Sequence, residues 1–111
     1  MTAATEFLQS EPVRAEIDAL PGAVVVEFGA PWCGHCRAAV PLVTTALAAY
    51  PQVMHLKVED GRGQPLGRSF RVKLWPTLVF LRDGVEVARL VRPIDAAPIA
   101  EALAALTREA A

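Results

Sequence analysis

The sequence lacks a long hydrophobic run, a surplus of either charge, and more than two cysteines. Its most apolar segment, residues 38–50, contains a proline and two threonines and is too short to span a bilayer. The formal net charge of −1 provides no field that would attract nucleic acid or an anionic lipid surface. These absences argue against a nucleic-acid-binding protein and against a membrane protein.

The N-terminus also lacks the features of a secretory signal, since it has no basic start and carries Glu6 and Glu11. With 111 residues, 53% of them hydrophobic, the chain is long enough to bury one core without disulfides. We therefore expect a single domain over residues 1–111, located in the cytoplasm. A net charge near zero and the absence of an exposed heptad pattern favour a monomer.

The order of apolar patterns predicts an α/β fold. Ser10 is a suitable N-cap for a first helix, with Pro12 in its first turn and an apolar face at Val13, Ile17 and Leu20. Further along the chain we expect strands at residues 23–28, 53–58, 77–81 and 85–91, and helices at residues 33–50 and 66–70 and from Asp95 onwards.

Several local signals support this assignment. The second helix should place Cys36, Val40, Val43 and Leu47 on one side, and Asp-Gly at positions 83 and 84 predicts a hairpin. In the last helix the inner face should carry Ile99, Leu103 and Leu106. A strand-helix-strand unit followed by a hairpin gives a mixed sheet with helices on both faces.

The two cysteines stand at positions 33 and 36, where the first strand leads into the long helix. A cysteine at a helix N-terminus faces unpaired backbone N–H groups and the positive end of the helix dipole, and both favour thiolate over thiol. Cysteines at i and i+3 can also reach each other to form a disulfide. We expect Cys33 to be open to solvent and to attack, with Cys36 beneath it as the thiol that resolves the mixed disulfide.

Glu27 interrupts the apolar first strand. Cys36, facing the core, must lose its proton before it can attack, and a nearby base would assist it. Burial disfavours the charged form of a carboxyl group, which suits a proton acceptor working near pH 7. We interpret Glu27 as that base, and we expect Lys57 on the adjacent strand to pair with it.

Other interpretations of these residues remain open. A zinc site needs four ligands, but the chain offers two Cys and two His, and His35 lies inside the cysteine pair. A purely structural disulfide between the two cysteines would close almost no loop and would add little stability. Glu27 is alternatively a structural carboxylate at the strand end, solvated or paired. We expect His55 to be a surface or partly buried strand residue.

The segment VVVEFGAPWCGHCRAAVPLV resembles the active-site segment of the thioredoxin family, and its WCGHC core is similar to that of protein disulfide isomerase domains. Pro41 matches the proline that kinks the family's active-site helix. WPTLVFL resembles the segment whose proline is cis and faces the active site. The resemblance covers about residues 24–106. It implies a thioredoxin fold with a mixed sheet of four strands, or five if residues 1–9 form the family's extra strand.

By this resemblance Cys33 is the nucleophile, Cys36 the resolving thiol and Glu27 the buried acid. The resemblance also implies that backbone groups beside the cis proline pair with an extended substrate. The residues expected to bind substrate are Trp32, Trp75, Pro76 and Thr77.

Two features differ from the family pattern and should reshape the substrate groove. Trp75 is bulkier than the residue common before the cis proline, and Arg92-Pro93 stands where thioredoxins usually carry a glycine. Between the cysteines, Gly34 and His35 are expected to tune the redox potential together with Lys57. A partly cationic imidazole favours the thiolate more than the proline of typical thioredoxins does.

The sequence therefore predicts a protein disulfide oxidoreductase that reduces or isomerises disulfides of client proteins through Cys33 and Cys36. We expect no metal and no cofactor, and an electron donor of the thioredoxin reductase type. The competing interpretation is a peptide-binding module or assembly factor with little redox turnover, which would use the two tryptophans and Pro76 as its platform. A third is a dedicated oxidant in an oxidising compartment.

Overall fold

Eight regular elements follow one another in the computed structural model, which describes residues 3–108. In chain order they are α1 (Arg14–Asp18), β1 (Ala23–Gly29), α2 (Gly34–Leu47), β2 (Met54–Glu59), α3 (Pro65–Ser69), β3 (Thr77–Arg82), β4 (Val85–Val91) and α4 (Ala96–Thr107). None of the helices within these residues has both the length and the hydrophobicity needed to cross a membrane.

The strands form one mixed sheet in the order β2-β1-β3-β4. β1 pairs in parallel with β2, while β1 with β3 and β3 with β4 are antiparallel. The predicted fold class is therefore confirmed, with four strands over the described residues. The segment before α1 runs beside β2, where the Leu8 N–H donates to the Lys57 carbonyl oxygen at 2.9 Å, and residues 3–13 of it form no strand.

Both faces of the sheet are covered, which explains the nearly continuous apolar character of β1. On one face Val25 packs with buried residues of α2 and α4. On the other face Val24, Val26 and Phe28 pack with residues of α1 and α3. Side chains alternate between the faces along a strand, so Glu27 points to the same side as Val25, the side that α2 covers.

The first helix is shorter than predicted. It begins after Val13, and the Val13 N–H donates to the Glu16 carboxylate at 3.0 Å, so Ser10 is not its N-cap. The Glu11 carboxylate instead accepts from the Leu66 N–H at 2.6 Å, which ties the preceding segment to α3. Of the predicted apolar face, Ile17 is fully buried.

The later elements agree more closely with the predictions. Asp95 caps α4 by accepting from the Ala97 N–H at 3.1 Å, and the three predicted inner residues of that helix are buried. Pro41 lies inside α2, and the helix ends at Leu47 rather than Tyr50. Val40 was predicted to face inward, but 41% of it is exposed.

Candidate active site

The two cysteines lie where β1 passes into α2. Cys33 is the N-cap residue of α2, and its Sγ accepts a hydrogen bond from the Cys36 N–H at 3.2 Å. Both cysteines are free thiols. A sulfur in this position accepts from one of the N–H groups that the first helical turn leaves unpaired.

Both thiols are largely covered. Cys33 is 7% exposed and Cys36 is 4% exposed, so the expectation of an open Cys33 is wrong. The cover comes from Trp75, which packs against Ala30 and the two cysteines and makes an edge contact with Trp32, with ring centroids 5.4 Å apart. The paired tryptophans thus form part of the cover over the Cys33 sulfur.

The Cys36 thiol is held in its neutral form. Burial raises its pKa to about 12, and the hydrogen bond with Cys33, the Cys33 charge and the Glu27 charge add to the rise, although a backbone contact with Ala30 opposes it. This confirms the predicted difficulty of the second thiol, because almost none of it is ionised at pH 7. The charge of Glu27 is among the causes of this rise, and the carboxylate lies on the face of β1 that α2 covers.

Glu27 is 2% exposed, and its partner is not the predicted one. The Oε1 atom lies 2.8 Å from His55 Nε2, and side chains of both residues are almost completely buried. The predicted pairing with Lys57 is wrong, although Lys57 stands directly opposite Glu27 in the register of β1 and β2. His55, two residues earlier in β2, points to the same face and reaches the carboxylate. The expectation that His55 is a surface or partly buried residue is therefore wrong as well.

The ammonium group of Lys57 lies elsewhere. Its Nζ is 4.8 Å from the centroid of the Phe7 ring, at the wall of a cavity of about 480 Å³ that also touches Cys36 and Arg37. Within residues 3–108, no carboxylate oxygen lies within 4.0 Å of this group. Lys57 thus contributes positive charge near the resolving cysteine without an ion pair to Glu27.

The loop opposite the cysteines contains the cis peptide bond between Trp75 and Pro76 that the family resemblance implied. The indole Nε1 of Trp75 donates to the Asp60 carboxylate at 2.8 Å, which fixes the ring over the cysteines. The Thr77 hydroxyl donates to the Leu74 carbonyl oxygen at 2.6 Å and closes the turn. Pro76 and Thr77 are themselves buried.

Arg92 occupies the backbone acceptors of this loop. Its Nε donates to the Trp75 carbonyl oxygen at 2.8 Å, and its backbone N–H donates to the Pro76 carbonyl oxygen at 2.9 Å. An extended client that paired its backbone with this loop would need the Trp75 carbonyl. The side chain of Arg92 holds that acceptor in the free protein.

The remaining predicted residues lie on the surface around the thiols. Gly34 and His35 are exposed on the first turn of α2, and His35 shares a cavity of about 450 Å³ with Arg92 and Ile94. Trp32 is 69% exposed and Ile94 is 94% exposed. Apolar side chains exposed to this degree around a reactive pair form a surface suited to contact with another polypeptide.

Three residues contribute to the site although the sequence did not predict a role for them: Gly29, His55 and Asp60. A Cβ on Gly29 would lie 2.6 Å from Cys36 Sγ, so the missing side chain leaves the space that the sulfur fills. The signal for Gly29 was its position at the end of β1, directly before the cysteine loop. For His55 the signal was its position two residues before Lys57, which places both side chains on the face of β2 next to Glu27, whereas Asp60 gave none.

The described part of the chain, residues 3–108, contains no group of three or more His, Cys, Asp or Glu side chains arranged to hold a metal ion. A dithiol on the first turn of a helix, facing a cis-proline loop on this mixed sheet, defines a thiol-disulfide oxidoreductase domain.

Comparison with known proteins agrees with this class. The sequence model of the thioredoxin family matches residues 4–105, so the chain belongs to the thioredoxin family. The structure is similar to that of thioredoxin 2 from Pseudomonas aeruginosa in its reduced form, with 57% identity, a TM-score of 0.84, and coverage of 93% of this chain and 95% of that one.

Curated relatives are matched over shorter stretches. Protein disulfide-isomerase A2 of Pongo abelii is 50% identical over 66 residues, which are 56% of this chain and 13% of that protein. Thioredoxin H-type 1 of Nicotiana tabacum is 40% identical over 68 residues, which are 61% of this chain and 54% of that protein. The chain thus spans about half of this thioredoxin and a small part of the isomerase.

Proposed function

We propose that the protein reduces or isomerises disulfide bonds of client proteins through a cycle in which Cys33 and Cys36 alternate between dithiol and disulfide. The observation that carries this proposal is the contact of the two thiols on the first turn of α2, where the Cys36 N–H donates to Cys33 Sγ. The family membership and the likeness to thioredoxins support the same chemistry.

The proposed cycle has two covalent steps. The Cys33 thiolate attacks a client disulfide, forms a mixed disulfide and releases one client thiolate. Cys36 then gives its proton to Glu27, attacks Cys33 Sγ and releases the second client thiolate. The client gains two electrons and the cysteine pair loses them. Protonation of Glu27 also removes the negative charge that disfavours the Cys36 thiolate, so the proton transfer and the attack assist each other.

An insulin-reduction assay with dithiothreitol as electron source tests the redox function. We expect wild type to accelerate precipitation of insulin, Cys33→Ser to abolish this acceleration, and Cys36→Ser to accumulate a mixed disulfide that denaturing electrophoresis detects. A wild-type rate equal to the dithiothreitol background would contradict the proposal. It would support the peptide-binding alternative, which the exposed Trp32 and Ile94 favour.

The role of Glu27 is tested separately. Glu27→Gln keeps the size of the side chain and removes its basicity, so resolution by Cys36 should slow by at least about tenfold while attack by Cys33 stays near the wild-type rate. Stopped-flow measurement of the two phases with a disulfide peptide separates the steps. If both phases keep their wild-type rates, Glu27 is a structural residue.

We further propose a reduction potential between that of thioredoxin, about −270 mV, and that of protein disulfide isomerase, about −180 mV. The imidazole of His35 on the exposed first turn of α2 supports this value, because it favours the reduced form. His35→Pro should lower the potential by ~30 mV, which is roughly a tenfold change in the exchange equilibrium. Equilibration with glutathione measures it, and an unchanged potential would exclude a tuning role for His35.

In this proposal the protein acts as a monomer in the cytoplasm and receives electrons from a reductase of the thioredoxin reductase type. The reducing conditions of that compartment would keep the pair as the dithiol. Disulfide-bonded proteins are the proposed clients. Redox electrophoresis of the protein extracted from its own cells tests the compartment, since an oxidised pair at steady state would instead indicate the dedicated oxidant.

A further inference from the structure

Two successive hydrogen bonds connect the segment before α1 to the buried acid. The Ala4 N–H donates to His55 Nδ1 at 2.8 Å, and His55 Nε2 lies 2.8 Å from Glu27 Oε1. The side chains of His55 and Glu27 are 2% and 3% exposed. Solvent therefore has almost no access to the contact between His55 and Glu27, whereas the contact with Ala4 is partly buried.

The Ala4 amide determines the state of the imidazole. A backbone N–H can only donate, so Nδ1 must present its lone pair and carry no hydrogen. The imidazole then holds its single hydrogen on Nε2, where it donates to Glu27 Oε1. Protonation of His55 would require the Ala4 contact to break inside a buried site. The pair is thus a neutral donor facing a carboxylate, and it is not an ion pair.

This arrangement distinguishes the two oxygens of Glu27. His55 is the one hydrogen-bond partner that residues 3–108 provide for the carboxylate, and it engages Oε1. Oε2 keeps its lone pairs and is the atom on which a proton can be placed.

The other groups near this carboxylate come from three elements. β2 contributes Lys57, whose ammonium lies at the Phe7 ring. The first turn of α2 contributes Cys36, whose pKa is raised chiefly by burial and in part by the Glu27 charge, and the Cys36 N–H donates to Cys33 Sγ. On β3 the residue paired with Glu27 is the apolar Leu78. The neighbours of Glu27 that change charge during exchange are therefore the two thiols.

We propose that His55 is a positioning residue for disulfide exchange: the Ala4 amide locks it as the neutral Nε2–H tautomer, and it fixes Glu27 Oε1 so that Oε2 receives the proton of Cys36. This inference rests on the proposed role of Glu27 as proton acceptor. The backbone N–H of Ala4, in the segment before α1, would thereby help to determine where the proton of Cys36 is transferred.

The kinetic test compares two replacements of His55. His55→Leu removes the donor, so we expect the rate of resolution by Cys36 to fall about five- to tenfold at pH 7. The midpoint of the pH dependence of that rate should move upward, and the rate of attack by Cys33 should not change. His55→Gln retains an N–H donor near the position of Nε2 and should keep resolution within about twofold of wild type. Wild-type resolution in His55→Leu, or a failure of Gln to restore it, would overturn the proposal.

Nitrogen NMR of the full chain tests the tautomer without using activity. We expect His55 to show the neutral Nε2–H pattern from pH 5 to pH 8. Ala4→Pro removes the amide hydrogen and should let His55 titrate in this range, whereas Ala4→Gly keeps the hydrogen and should resemble wild type. Formation of imidazolium in wild type, or a neutral His55 in Ala4→Pro, would overturn the lock.

Different outcomes would refute the acceptor role of Glu27 and the positioning role of His55. If Glu27→Gln leaves resolution unchanged, the proposed acceptor role fails, and the effect of His55 on the rate is lost with it. If Glu27→Gln slows resolution and His55→Leu does not, the acceptor role stands and the positioning role alone is refuted. Circular dichroism of His55→Leu shows whether it folds, and His55→Gln with the NMR measurement decides the matter where it does not.

Discussion

At the scale of single residues, Cys33 and Cys36 differ in what surrounds each sulfur. Cys33 Sγ accepts a hydrogen bond from the Cys36 N–H on the first turn of α2. Cys36 is packed against Gly29 and near Glu27, and its pKa rises to about 12, chiefly through burial. One helical turn thus separates a thiol suited to attack from a thiol that needs a base.

Arg92 controls a backbone acceptor next to this pair, and its removal should affect client binding. In Arg92→Ala the Trp75 carbonyl oxygen becomes free for a client N–H, so KM for an uncharged disulfide peptide should fall about threefold to fivefold with little change in kcat. The backbone at position 92 has a φ of 49° in wild type, and alanine keeps the same strain.

Arg89→Ala is the matched control for this prediction, because it also removes one positive charge, from β4 three residues before Arg92, where Arg89 pairs with Glu86 and not with the loop. Steady-state kinetics of both variants with the same peptide makes the comparison. Equal KM values in Arg92→Ala and Arg89→Ala would show that the Trp75 carbonyl takes no part in client binding.

Spacing alone predicted the cysteine pair and the buried Glu27, because these follow from where the first strand meets the helix. It did not predict which β2 residue contacts Glu27. His55 and Lys57 stand two positions apart on one face of β2, and both are long enough to reach the carboxylate. Which of the two residues contacts Glu27 depends on the Ala4 N–H, because it donates to His55 Nδ1, the ring nitrogen that does not face Glu27. Such a contact leaves no pattern in the sequence.

At the scale of elements, the hairpin between β3 and β4 is tied to the end of α1. The predicted hairpin is present, with β3 extending to Arg82 so that Asp83 and Gly84 alone form the turn, and their φ values are 50° and 81°. The Asp83 carboxylate accepts from the Gly22 N–H at 2.7 Å. A Cβ at position 84 would overlap the Asp18 carbonyl oxygen, so the turn and the helix end pack without space for a side chain.

Gly84→Ala should therefore destabilise the protein more than an alanine at a comparable open position. Gly63 is the matched control, since its φ of 78° imposes the same backbone strain but a Cβ there has no neighbour within 4 Å. We expect Gly63→Ala to cost about 1–2 kcal/mol and Gly84→Ala about 1–3 kcal/mol more. Urea unfolding measures both, and equal losses would show that the hairpin moves away from α1 without cost.

Elements with a strong local signal were predicted well, whereas α1 was not. Asp83-Gly84 and Asp95 act through their own backbone geometry, so their neighbours in sequence suffice. The start of α1 is decided by a distant contact, because Glu11 accepts from the Leu66 N–H and holds the chain before the helix in a non-helical path. A capping pattern that begins at Ser10 contains no information about α3.

At the scale of the whole molecule, the fold follows from the order of strands and helices, and the segment before α1 is the part that this order does not specify. The segment has no periodic apolar pattern, and it is placed by single contacts such as the Leu8 N–H to Lys57 and the Ala4 N–H to His55. It nevertheless forms part of the cavity wall at Cys36. The surroundings of Cys36 thus include a sheet that the apolar pattern predicts and a segment that it does not.

The thiol of Cys36 also links proton binding to global stability. Its pKa is raised from 9.0 to about 12 in the folded protein, so between these values the unfolded chain has released a proton that the folded chain keeps. Because the unfolded state then binds fewer protons, the free energy of unfolding of the reduced protein should fall as pH rises above 9. The contribution from this thiol has a slope of at most about 1.4 kcal/mol per pH unit.

Cys36→Ala isolates this contribution from the lysines and the tyrosine that titrate in the same range. Urea unfolding of reduced wild type and of Cys36→Ala should give a constant difference below pH 8 and a loss of wild-type stability relative to the variant above pH 9. The oxidised protein, which has no titrating thiol, should lack the additional slope. Parallel curves for reduced wild type and variant up to pH 11 would contradict a protonated Cys36, and with it the need for Glu27 as a base.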